Sequence, residues 1–490
     1  KDKLHVVFFP LMAHGHMIPT LDTARLFAAR GVKATIITTP CNMPIFTQAI
    51  EKSKESEGPM IDIEVFKFSL VEDGLPKGCE NLKQAMSSLD MAQKFFRAAS
   101  MLQQQLEVYL ERVRPHVLVA DMFFTWATEC AAKFNIPRLV FYGTSFFADC
   151  VRDMIMVHQP YKHVSSDYEP FVIPSLPHEI MLTRSQLPEG LTMNESELKK
   201  RHEMMQESEV QSYGVIVNSF YELEPNYADF FRRQLGRRAW HVGPVSLCNE
   251  TFKEKAQRGR ETNSIDEHEC LKWLNLKKPN SVIYLSFGSL AHFIVPQLQE
   301  IAMALEVLQY EFIWVVREDK LAMSEEWLPQ GFKERTQGKG LVLGGWVPQL
   351  LILEHEAIGA FVTHCGWNST LEAISAGVPM VTWPFFAEQF YNEKLVNEVL
   401  QIGTPVGAKK WRVIYSVKDV VKHDAIKKAI IETMEGDKAQ EKRSKVKKLK
   451  DSARQAMEEG GSSYRDLSSL ISELKDYHVA KLNNCKKHLR

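Results

Sequence analysis

The sequence lacks paired cysteines, charge of one sign and long apolar runs, and each absence excludes a class of protein. Its eight cysteines are scattered, with no C-x-x-C pair, which argues against a disulfide framework or a structural zinc site and favours free thiols. The formal net charge is -1, so the whole chain offers no electrostatic basis for binding nucleic acid or an anionic membrane. No apolar run reaches the length of a membrane span, and the first residues lack the apolar region of a signal peptide. We therefore expect a cytoplasmic protein without a transmembrane segment.

Two short motifs of common enzyme classes are also missing. The chain contains no G-x-G-x-x-G, which counts against a dinucleotide-dependent dehydrogenase. It contains no G-x-S-x-G, which disfavours a serine hydrolase built on a nucleophile elbow. No internal repeat stands out either, so the function must be sought in other motifs.

What is present is typical of a large globular α/β protein. Apolar runs alternate with amphipathic stretches, which predicts parallel strands joined by helical crossovers. Strands are predicted at residues 4–10, 32–39, 117–120, 138–142, 214–219, 282–286, 312–316, 340–343, 360–363 and 380–383, and helices at 18–30 and 125–134. A polar segment at residues 246–265 separates the two halves and is interpreted as a linker. Two Rossmann-like domains are expected, at residues 1–245 and 266–460, and ligands bind at the carboxyl ends of such strands.

The most informative stretch, residues 346–389, predicts an anion site. The strand at 360–363 leads into a tight turn at His364 and Gly366. The small polar residues Asn368 and Ser369 then introduce a helix that is predicted at residues 371–377. Backbone N–H groups and the helix dipole at such a start attract a phosphate. The side chains of His364, Asn368 and Ser369 can add hydrogen-bond donors.

Two further residues of this stretch suit the rest of a nucleotide. Glu372 lies one turn into the helix, where a carboxylate would repel a phosphate but can accept hydrogen bonds from a ribose diol. Trp346 offers a flat face for a base. The stretch therefore predicts a nucleoside diphosphate site.

The same stretch resembles the signature box of plant secondary-product glycosyltransferases, which use UDP-sugars and have the GT-B fold. The resemblance covers essentially the whole chain, including FFPLMAHGHMIPT, VNSFYELEP and FGSL. The opening and the stretch LPHEIMLTRSQLP further resemble the subgroup that acts on triterpenoids, steroids and flavonoids. The resemblance implies two Rossmann-like domains facing a cleft: residues 1–245 bind the acceptor, residues 266–460 bind the UDP-sugar, and the helix at 461–490 packs back on the N-terminal domain.

The resemblance also implies roles for single residues of the donor site. UDP would be bound by Ser289, Trp346, Val347, Gln349, His364, Gly366, Asn368, Ser369 and Glu372. The sugar would be bound by Thr144, Trp367, Glu388 and Gln389. Within this set Trp346 would stack on uracil and Glu372 would bind the ribose hydroxyls. Gln389 closes the box, and glutamine at that position is associated with glucose, so UDP-glucose is the expected co-substrate.

The resemblance assigns the catalytic base to His16. An acceptor hydroxyl is a poor nucleophile at neutral pH, and a neutral imidazole can accept its proton as it attacks. Asp121 follows the strand at 117–120, emerges at the same sheet edge, and would fix the imidazole tautomer. His14 is the alternative imidazole. The pair His14 and His16 could also be half of a metal site, but no third ligand stands at a recognisable spacing.

We expect a single in-line displacement with inversion at the anomeric carbon. Because the chain has no D-x-D triplet, no metal or other cofactor is expected, and helix-terminal N–H groups would stabilise the leaving diphosphate. The expected acceptor is a small hydrophobic molecule, first a triterpenoid or steroid and second a flavonoid or other phenolic. A non-catalytic binder of such a metabolite is the alternative from another class, and a monomer is expected. Four phenylalanines could line an acceptor pocket or equally belong to the core: Phe123, Phe124, Phe147 and Phe386.

Overall fold

The computed structural model describes residues 3–47, 50, 61–68, 74–86, 88–188, 191, 197–260, 267–291, 293–316, 327–412 and 419–488. The chain forms two compact units, each with its own sheet. The first consists of Lys1–Gly143, Lys200–Glu250 and Gln455–Arg490, and the second of Thr144–Lys199 and Thr251–Arg454. This division differs from the predicted one, because residues 144–199 group with the second unit although the sequence assigned them to the first domain. Most of the predicted linker, from residue 251 on, also belongs to the second unit.

The strands are short and mostly apolar. They are β1 (His5–Phe9), β2 (Lys33–Thr38), β3 (Ile61–Val65), β4 (Val117–Asp121), β5 (Arg138–Tyr142), β6 (Pro170–Val172), β7 (Met181–Thr183), β8 (Gly214–Val217), β9 (Ala239–His241), β10 (Val282–Ser286), β11 (Glu311–Val316), β12 (Gly340–Gly344), β13 (Ile358–Thr363), β14 (Met380–Thr382) and β15 (Gly403–Pro405).

The helices connect these strands or follow the second sheet. They are α1 (His14–Ala29), α2 (Leu82–Ala85), α3 (Leu89–Ser100), α4 (Leu102–Val113), α5 (Ala127–Lys133), α6 (Phe146–His158), α7 (Glu197–Val210), α8 (Pro225–Asp229), α9 (Phe252–Gln257), α10 (Glu267–Leu274), α11 (Val295–Val307), α12 (Phe332–Arg335), α13 (Gln349–Leu353), α14 (Trp367–Ala376), α15 (Gln389–Lys394), α16 (His423–Met434), α17 (Gly436–Met457) and α18 (Ser462–His488).

The sheet of the first unit is parallel throughout, in the order β3-β2-β1-β4-β5-β8-β9. Every residue of its central strand β1 is buried. Val6 and Phe8 join one hydrophobic cluster, together with residues of α1 and α18, while Val7 and Phe9 join another, together with residues of α4. A parallel sheet covered on both faces needs such continuous apolar strands, which is why the sequence pattern located β1.

The first helix begins earlier than the sequence indicated. The amphipathic pattern predicted a helix over residues 18–30. The helix α1 in fact begins at His14 and contains Pro19 in its interior. His16 consequently lies in the first turn of α1 rather than in a loop.

The second unit is built around a parallel sheet in the order β12-β11-β10-β13-β14-β15. Its core surrounds buried aromatic side chains such as Trp314 and Trp383. An antiparallel pair, β6 and β7, belongs to the same unit. The carboxyl ends of β10, β12 and β13 meet at one edge of the sheet, where ligands bind in folds of this kind.

The C-terminal helix α18 packs on the first unit. Asp466 Oδ2 accepts a hydrogen bond from the His241 backbone N–H at 2.9 Å and pairs with the Arg232 guanidinium at 2.8 Å. Arg238 pairs with Glu473 at 2.6 Å. Across the described part of the chain, no helix combines the length and apolarity needed to cross a membrane. The cysteines whose side chains are described are all free thiols.

Candidate active site

The first unit brings His16 and Asp121 into direct contact. Asp121 is the last residue of β4 and is buried, while His16 is about one-fifth exposed at the start of α1. The distance from His16 Nδ1 to Asp121 Oδ2 is 2.7 Å. A carboxylate on Nδ1 favours the tautomer that carries its proton there, which puts the lone pair on Nε2. The pair therefore has the geometry of an oriented general base.

Both the side chain and the backbone of Asp121 accept hydrogen bonds. Its Oδ1 accepts a hydrogen bond from the Phe123 backbone N–H at 3.1 Å, and its backbone carbonyl accepts one from Arg138 at 2.8 Å. Arg138 is 2% exposed, and burial lowers its pKa to about 10, so the guanidinium stays charged at neutral pH. Its other nitrogen donates to Thr128 Oγ1 at 2.6 Å and Ser208 Oγ at 2.7 Å. A buried cation thus binds the backbone of Asp121.

Aromatic side chains stand next to the imidazole. The ring of Phe123 meets that of His16 edge to face, with centroids 5.7 Å apart, and Phe96 follows at 5.8 Å from Phe123. The Arg201 guanidinium lies over the Phe96 ring at 4.2 Å. Phe123 and Phe96 are both half-buried, so this face beside His16 is partly open and apolar.

The other three phenylalanines of the predicted acceptor pocket are buried. Phe124 is 2% exposed and packs against Phe9, with ring centroids 4.5 Å apart, inside a core cluster. Phe147 is 0% and Phe386 8% exposed. Of the two roles that the sequence left open, the core role describes Phe124. A pocket role for Phe147 and Phe386 stays a prediction, while the ring of Phe123 contacts that of His16.

A glycine-lined turn surrounds His364 in the second unit. His364 directly follows β13, and the turn after β10 contains Gly288 at φ +71°. A Cβ atom built on Gly288 would lie 2.7 Å from His364 Nε2, and one on Gly366 would lie 2.3 Å from the same atom. Only glycine lets both backbone segments approach the imidazole this closely. Ser289 is the next residue of the β10 turn and is half-buried.

The imidazole of His364 is neutral at physiological pH. Desolvation by burial lowers its pKa to about 4. Its Nδ1 is buried and has no hydrogen-bond partner within the described residues. A buried polar atom without a partner is unusual in a folded protein, which marks this position as one that a ligand can complete. His364 would then act as a neutral hydrogen-bond donor rather than as a cation.

Helix α14 starts at the same turn with an uncapped end. It begins at Trp367, four residues before the predicted start at 371, and its N-cap Gly366 provides no side-chain hydrogen bond. The N–H groups of the first turn are therefore left to other partners. Trp367 is 2% exposed, whereas Asn368 and Ser369 are half-buried. Cys365, which precedes the N-cap Gly366, is buried, and burial raises the pKa of its thiol well above the ordinary value. A thiol that stays protonated is a poor nucleophile.

Glu372 and Gln349 form one network on the second turn of α14. Gln349 Nε2 donates to Glu372 Oε2 at 2.7 Å and to Ser369 Oγ at 3.1 Å. The hydroxyl of Tyr284 donates to Gln349 Oε1 at 3.1 Å. Arg258 NH1 donates to Glu372 Oε1 at 2.5 Å. The structure thus joins three of the predicted UDP-binding residues and adds two side chains that the sequence did not single out.

Two of the predicted sugar-binding residues, Thr144 and Gln389, are held by neighbouring side-chain or backbone groups. Thr144 Oγ1 lies 3.1 Å from both carboxylate oxygens of Asp149. Gln389 Oε1 accepts hydrogen bonds from the backbone N–H groups of Phe385 and Phe386 at 2.9 and 3.1 Å, so its NH₂ group is the part that can donate to a sugar. Helix α6, which follows Thr144, packs against α15, which begins at Gln389.

The remaining predicted donor residues lie near the same sheet edge. Trp346 follows β12 and is half-buried, and Val347 beside it is 8% exposed. Glu388 accepts a hydrogen bond from Asn392 Nδ2 at 3.2 Å, and the same amide donates to the Cys365 carbonyl at 2.8 Å. Asn392 therefore links Glu388 to the turn at Cys365. The structure carries no nucleotide, so the individual ligand contacts of these residues remain predictions.

Sequence reasoning missed Arg258, Arg138 and Asp149. Arg258 lies in a polar segment whose composition indicates only a linker, and no spacing relates it to Glu372. Arg138 opens an apolar strand, where a charge is unusual unless it is paired, and that anomaly could have revealed it. Asp149 follows Thr144 by about one helical turn, a spacing that can be recognised only when the start of α6 is known.

Three comparisons with known proteins agree with this architecture. A family model described as UDP-glucoronosyl and UDP-glucosyl transferase matches residues 11–434. The chain is 54% identical to the scopoletin glucosyltransferase of Nicotiana tabacum, over 97% of this chain and 98% of the relative. It is 52% identical to the UDP-glucose flavonoid 3-O-glucosyltransferase 7 of Fragaria ananassa, over 97% of each. The crystal structure of Glycyrrhiza uralensis UGT73P12 complexed with glycyrrhetinic acid 3-O-monoglucuronide is similar with a TM-score of 0.92, at 40% identity, covering 100% of this chain and 99% of that one.

Proposed function

The chain belongs to the UDP-glucoronosyl and UDP-glucosyl transferase family, and from this membership we propose that it transfers glucose from UDP-glucose to a phenolic hydroxyl of a small hydrophobic acceptor. It is an α/β glycosyltransferase of the GT-B type. The family match and the structural similarity confirm the resemblance found in the sequence. The observation that carries the proposed chemistry is the 2.7 Å contact between His16 Nδ1 and Asp121 Oδ2. We place the protein in the cytoplasm, as its scattered free thiols suggest.

The proposed reaction is a single displacement with inversion. His16 Nε2 accepts the proton of the acceptor hydroxyl while the acceptor oxygen attacks the anomeric carbon of the glucosyl group. The new carbon–oxygen bond forms as the bond between that carbon and the β-phosphate oxygen breaks, and UDP leaves with the electron pair. The proton stays on His16 as an imidazolium, which the Asp121 carboxylate stabilises.

The leaving diphosphate is stabilised by groups of the second unit. The start of α14 has no side-chain cap, so its N–H groups can bind an anion there, and the helix dipole adds to their effect. His364 Nδ1 and the Ser289 hydroxyl supply neutral hydrogen bonds at the same turn. We propose that these groups suffice without a metal ion, so that activity survives chelation of divalent cations.

A phenolic acceptor agrees best with the surroundings of His16. A planar ring can stack beside the half-buried rings of Phe123 and Phe96. Phe123 contacts the imidazole of His16, and Phe96 contacts Phe123. A phenol is also a stronger acid than an aliphatic alcohol, with a pKa near 10 in tyrosine, so a histidine base removes its proton more readily. The relatives that are about half identical are a scopoletin and a flavonoid glucosyltransferase. We therefore rank a phenolic acceptor above the triterpenoid or steroid that the sequence first suggested.

A triterpenoid acceptor remains the second candidate because of one observation. The solved relative UGT73P12 was crystallised with glycyrrhetinic acid 3-O-monoglucuronide, a conjugate of a triterpenoid acid. That structure matches this chain over its whole length, but at lower identity than the curated relatives. A bulky, non-planar acceptor would rely on apolar contact alone beside His16.

The test is product analysis by mass spectrometry. The purified protein is incubated with UDP-glucose, UDP-galactose or UDP-xylose, in EDTA, with coumarins, flavonoids, triterpenoids and steroids of matched concentration. We expect hexosylated phenolics from UDP-glucose, and a kcat/KM for them above that for triterpenoids. The opposite ranking would replace the phenolic proposal by the triterpenoid one. Binding of UDP without product from any acceptor would favour a non-catalytic binder.

A further inference from the structure

The part of the chain that leads from β9 to β10 supplies a side chain to the predicted ribose site. Helix α9 (Phe252–Gln257) begins with a capping box in which Thr251 and Glu254 satisfy each other's backbone N–H groups. It packs against α13. Lys255 forms an ion pair with Glu354 at 2.6 Å, outside the contacts that Arg258 makes. The backbone N–H of Arg258 closes the helix on the Glu254 carbonyl at 3.0 Å. The capping box and this backbone hydrogen bond fix the position from which the Arg258 side chain extends.

Arg258 extends to Glu372, and each carboxylate oxygen of Glu372 keeps room for a further hydrogen bond. NH1 of Arg258 lies 2.5 Å from Glu372 Oε1, and the side chains are 10% and 6% exposed. Glu372 Oε2 is taken by Gln349 Nε2 at 2.7 Å. A carboxylate offers about four lone-pair directions, so one acceptor direction on each oxygen is still available for a vicinal diol. Arg258 and Gln349 therefore determine how the carboxylate is turned.

The charge of Arg258 also matters for the anion turn. Glu372 stands on the second turn of α14, whose N-terminal N–H groups are the proposed phosphate site. A buried carboxylate without a cation is costly and would repel a diphosphate nearby. The guanidinium cancels that charge while it leaves the oxygens as acceptors. An ion pair in this position therefore suits a ligand that carries a phosphate at one end and a vicinal diol at the other.

We propose that Arg258 is a positioning residue of the donor site, which orients and neutralises Glu372 for the ribose hydroxyls of the UDP-sugar. The inference rests on the proposed function, since it assumes that this site binds a uridine diphosphate. It adds a residue outside the signature box to the nucleotide site. It also gives the segment after the first unit a role in binding, beyond that of a connection.

The test compares two nucleotides by isothermal titration calorimetry. UDP and 2′-deoxy-UDP are titrated into the wild type, Arg258→Gln, Arg258→Lys and Lys255→Gln. We expect the wild type to prefer UDP by roughly tenfold or more, as for a hydrogen bond to a charged group. Arg258→Gln should lose most of this preference, because Glu372 is no longer held, while Arg258→Lys should retain a part of it. Lys255→Gln, which breaks an ion pair of the same segment outside the ribose network, should keep the wild-type ratio.

Kinetics provide a second measurement that does not depend on weak titrations. With UDP-glucose as donor, Arg258→Gln should raise KM roughly tenfold and leave kcat within about twofold, because Glu372 does not touch the reacting atoms. Thermal unfolding midpoints of all variants are recorded so that a folding defect is recognised, and Arg258→Lys then takes the place of Arg258→Gln.

The outcomes separate the inference from the proposed function. A wild-type ratio of UDP to 2′-deoxy-UDP affinity in Arg258→Gln would overturn the role of Arg258 while leaving the transferase intact. An equal loss of the ratio in Lys255→Gln would show that any disturbance of the segment has the same effect, which also contradicts a specific role. A wild type that binds neither nucleotide would contradict the proposed function itself.

Discussion

His16 and Asp121 are separated by 105 positions in the chain, yet their side chains lie 2.7 Å apart. This happens because α1 begins, and β4 ends, at the same edge of a parallel sheet in which β1 and β4 are neighbours. The sequence indicated both residues and their common edge. The charge of Arg138 at the start of an apolar strand is visible in the sequence, but its partner is not. Its buried guanidinium binds the backbone carbonyl of Asp121, and no local pattern relates the first residue of one strand to the last residue of its neighbour.

Replacing the Asp121 carboxylate should slow the reaction without weakening donor binding. In Asp121→Asn the amide can still contact His16, but it no longer stabilises an imidazolium, so we expect kcat/KM to fall by about a hundredfold or more. Calorimetric affinity for UDP should stay at the wild-type value. Asp90→Asn, which alters an exposed ion pair with Lys94, is the matched control and should leave both quantities unchanged. A wild-type rate in Asp121→Asn would contradict the assigned role.

Glu393 is a buried carboxyl group that the proposed mechanism does not use. It is 6% exposed, and burial raises its pKa to about 7 from an ordinary value of 4.5. Folding therefore favours the protonated form, so the contribution of Glu393 to stability is present at low pH and is lost as the pH rises from about 4.5 through about 7. Thr382 Oγ1 donates to Glu393 Oε2 at 2.7 Å, a contact that an amide oxygen can also accept.

The variant Glu393→Gln should stabilise the protein at pH 8 more than at pH 5. The neutral amide avoids the cost of a buried charge, which the wild type bears only above its raised pKa. The unfolding midpoint, measured by calorimetry at both pH values, is the readout. Glu432→Gln, at a half-exposed position of α16, should show no such pH dependence. Equal shifts for Glu393→Gln at the two pH values would refute the raised pKa.

At the scale of elements, the strand–turn–helix unit from β13 to α14 carries the proposed anion site. The glycine turn and the polar helix start were evident in the sequence, since free N–H groups at such a start attract phosphate. The helix begins four residues earlier than predicted, because Gly366 serves as N-cap although it has no side chain to mark the boundary. In the same way, α1 contains Pro19 in its interior, which sequence rules treat as a helix start.

Filling the space between His364 and Gly366 should disrupt donor binding. In Gly366→Ala the new Cβ would lie 2.3 Å from His364 Nε2, so the imidazole must move away from the turn. We expect UDP affinity to fall roughly tenfold or more, as when a hydrogen bond to a charged group is lost. Gly436→Ala is the control, because its Cβ meets no atom within 4 Å but its φ of +80° is strained. That variant should lower the unfolding midpoint and keep its UDP affinity; a Gly366→Ala protein that binds UDP normally would contradict the site.

Three of the four strands at the edges of the two parallel sheets, β3, β9 and β15, were not predicted from the sequence. β3 (Ile61–Val65) alternates apolar with acidic residues, and β15 (Gly403–Pro405) contains glycine and proline. Each stands at an edge of its sheet, where one side is unpaired and where polar residues and proline are tolerated. Central strands such as β1 and β10, which are buried on both faces, were located by their continuous apolar runs.

At the scale of the whole molecule, two α/β units and the family could be predicted, but the course of the chain between them could not. Residues 144–199 group with the second unit, and so do residues 251–260 of the predicted linker. Domain membership is decided by long-range packing, which leaves no periodic signal in a polar segment. For the same reason the contact of Arg258 with Glu372, at 2.5 Å across 114 positions, became evident only in the structure.

The proposed reaction is a single inverting step. UDP-glucose carries its glucosyl group in the α configuration, so a direct attack assisted by His16 must give a β-glucoside. A ring-opened or covalent enzyme intermediate is not part of this scheme. The configuration of the product is therefore the property that distinguishes it from a two-step mechanism.

The most direct measurement is proton NMR of the anomeric signal during turnover of UDP-glucose and a flavonoid in EDTA, with wild type and His16→Ala in parallel. The account predicts a β-glucoside from the wild type and a rate lower by about a hundredfold or more in the variant. An α-glucoside, or a His16→Ala enzyme that works at the wild-type rate, would contradict it.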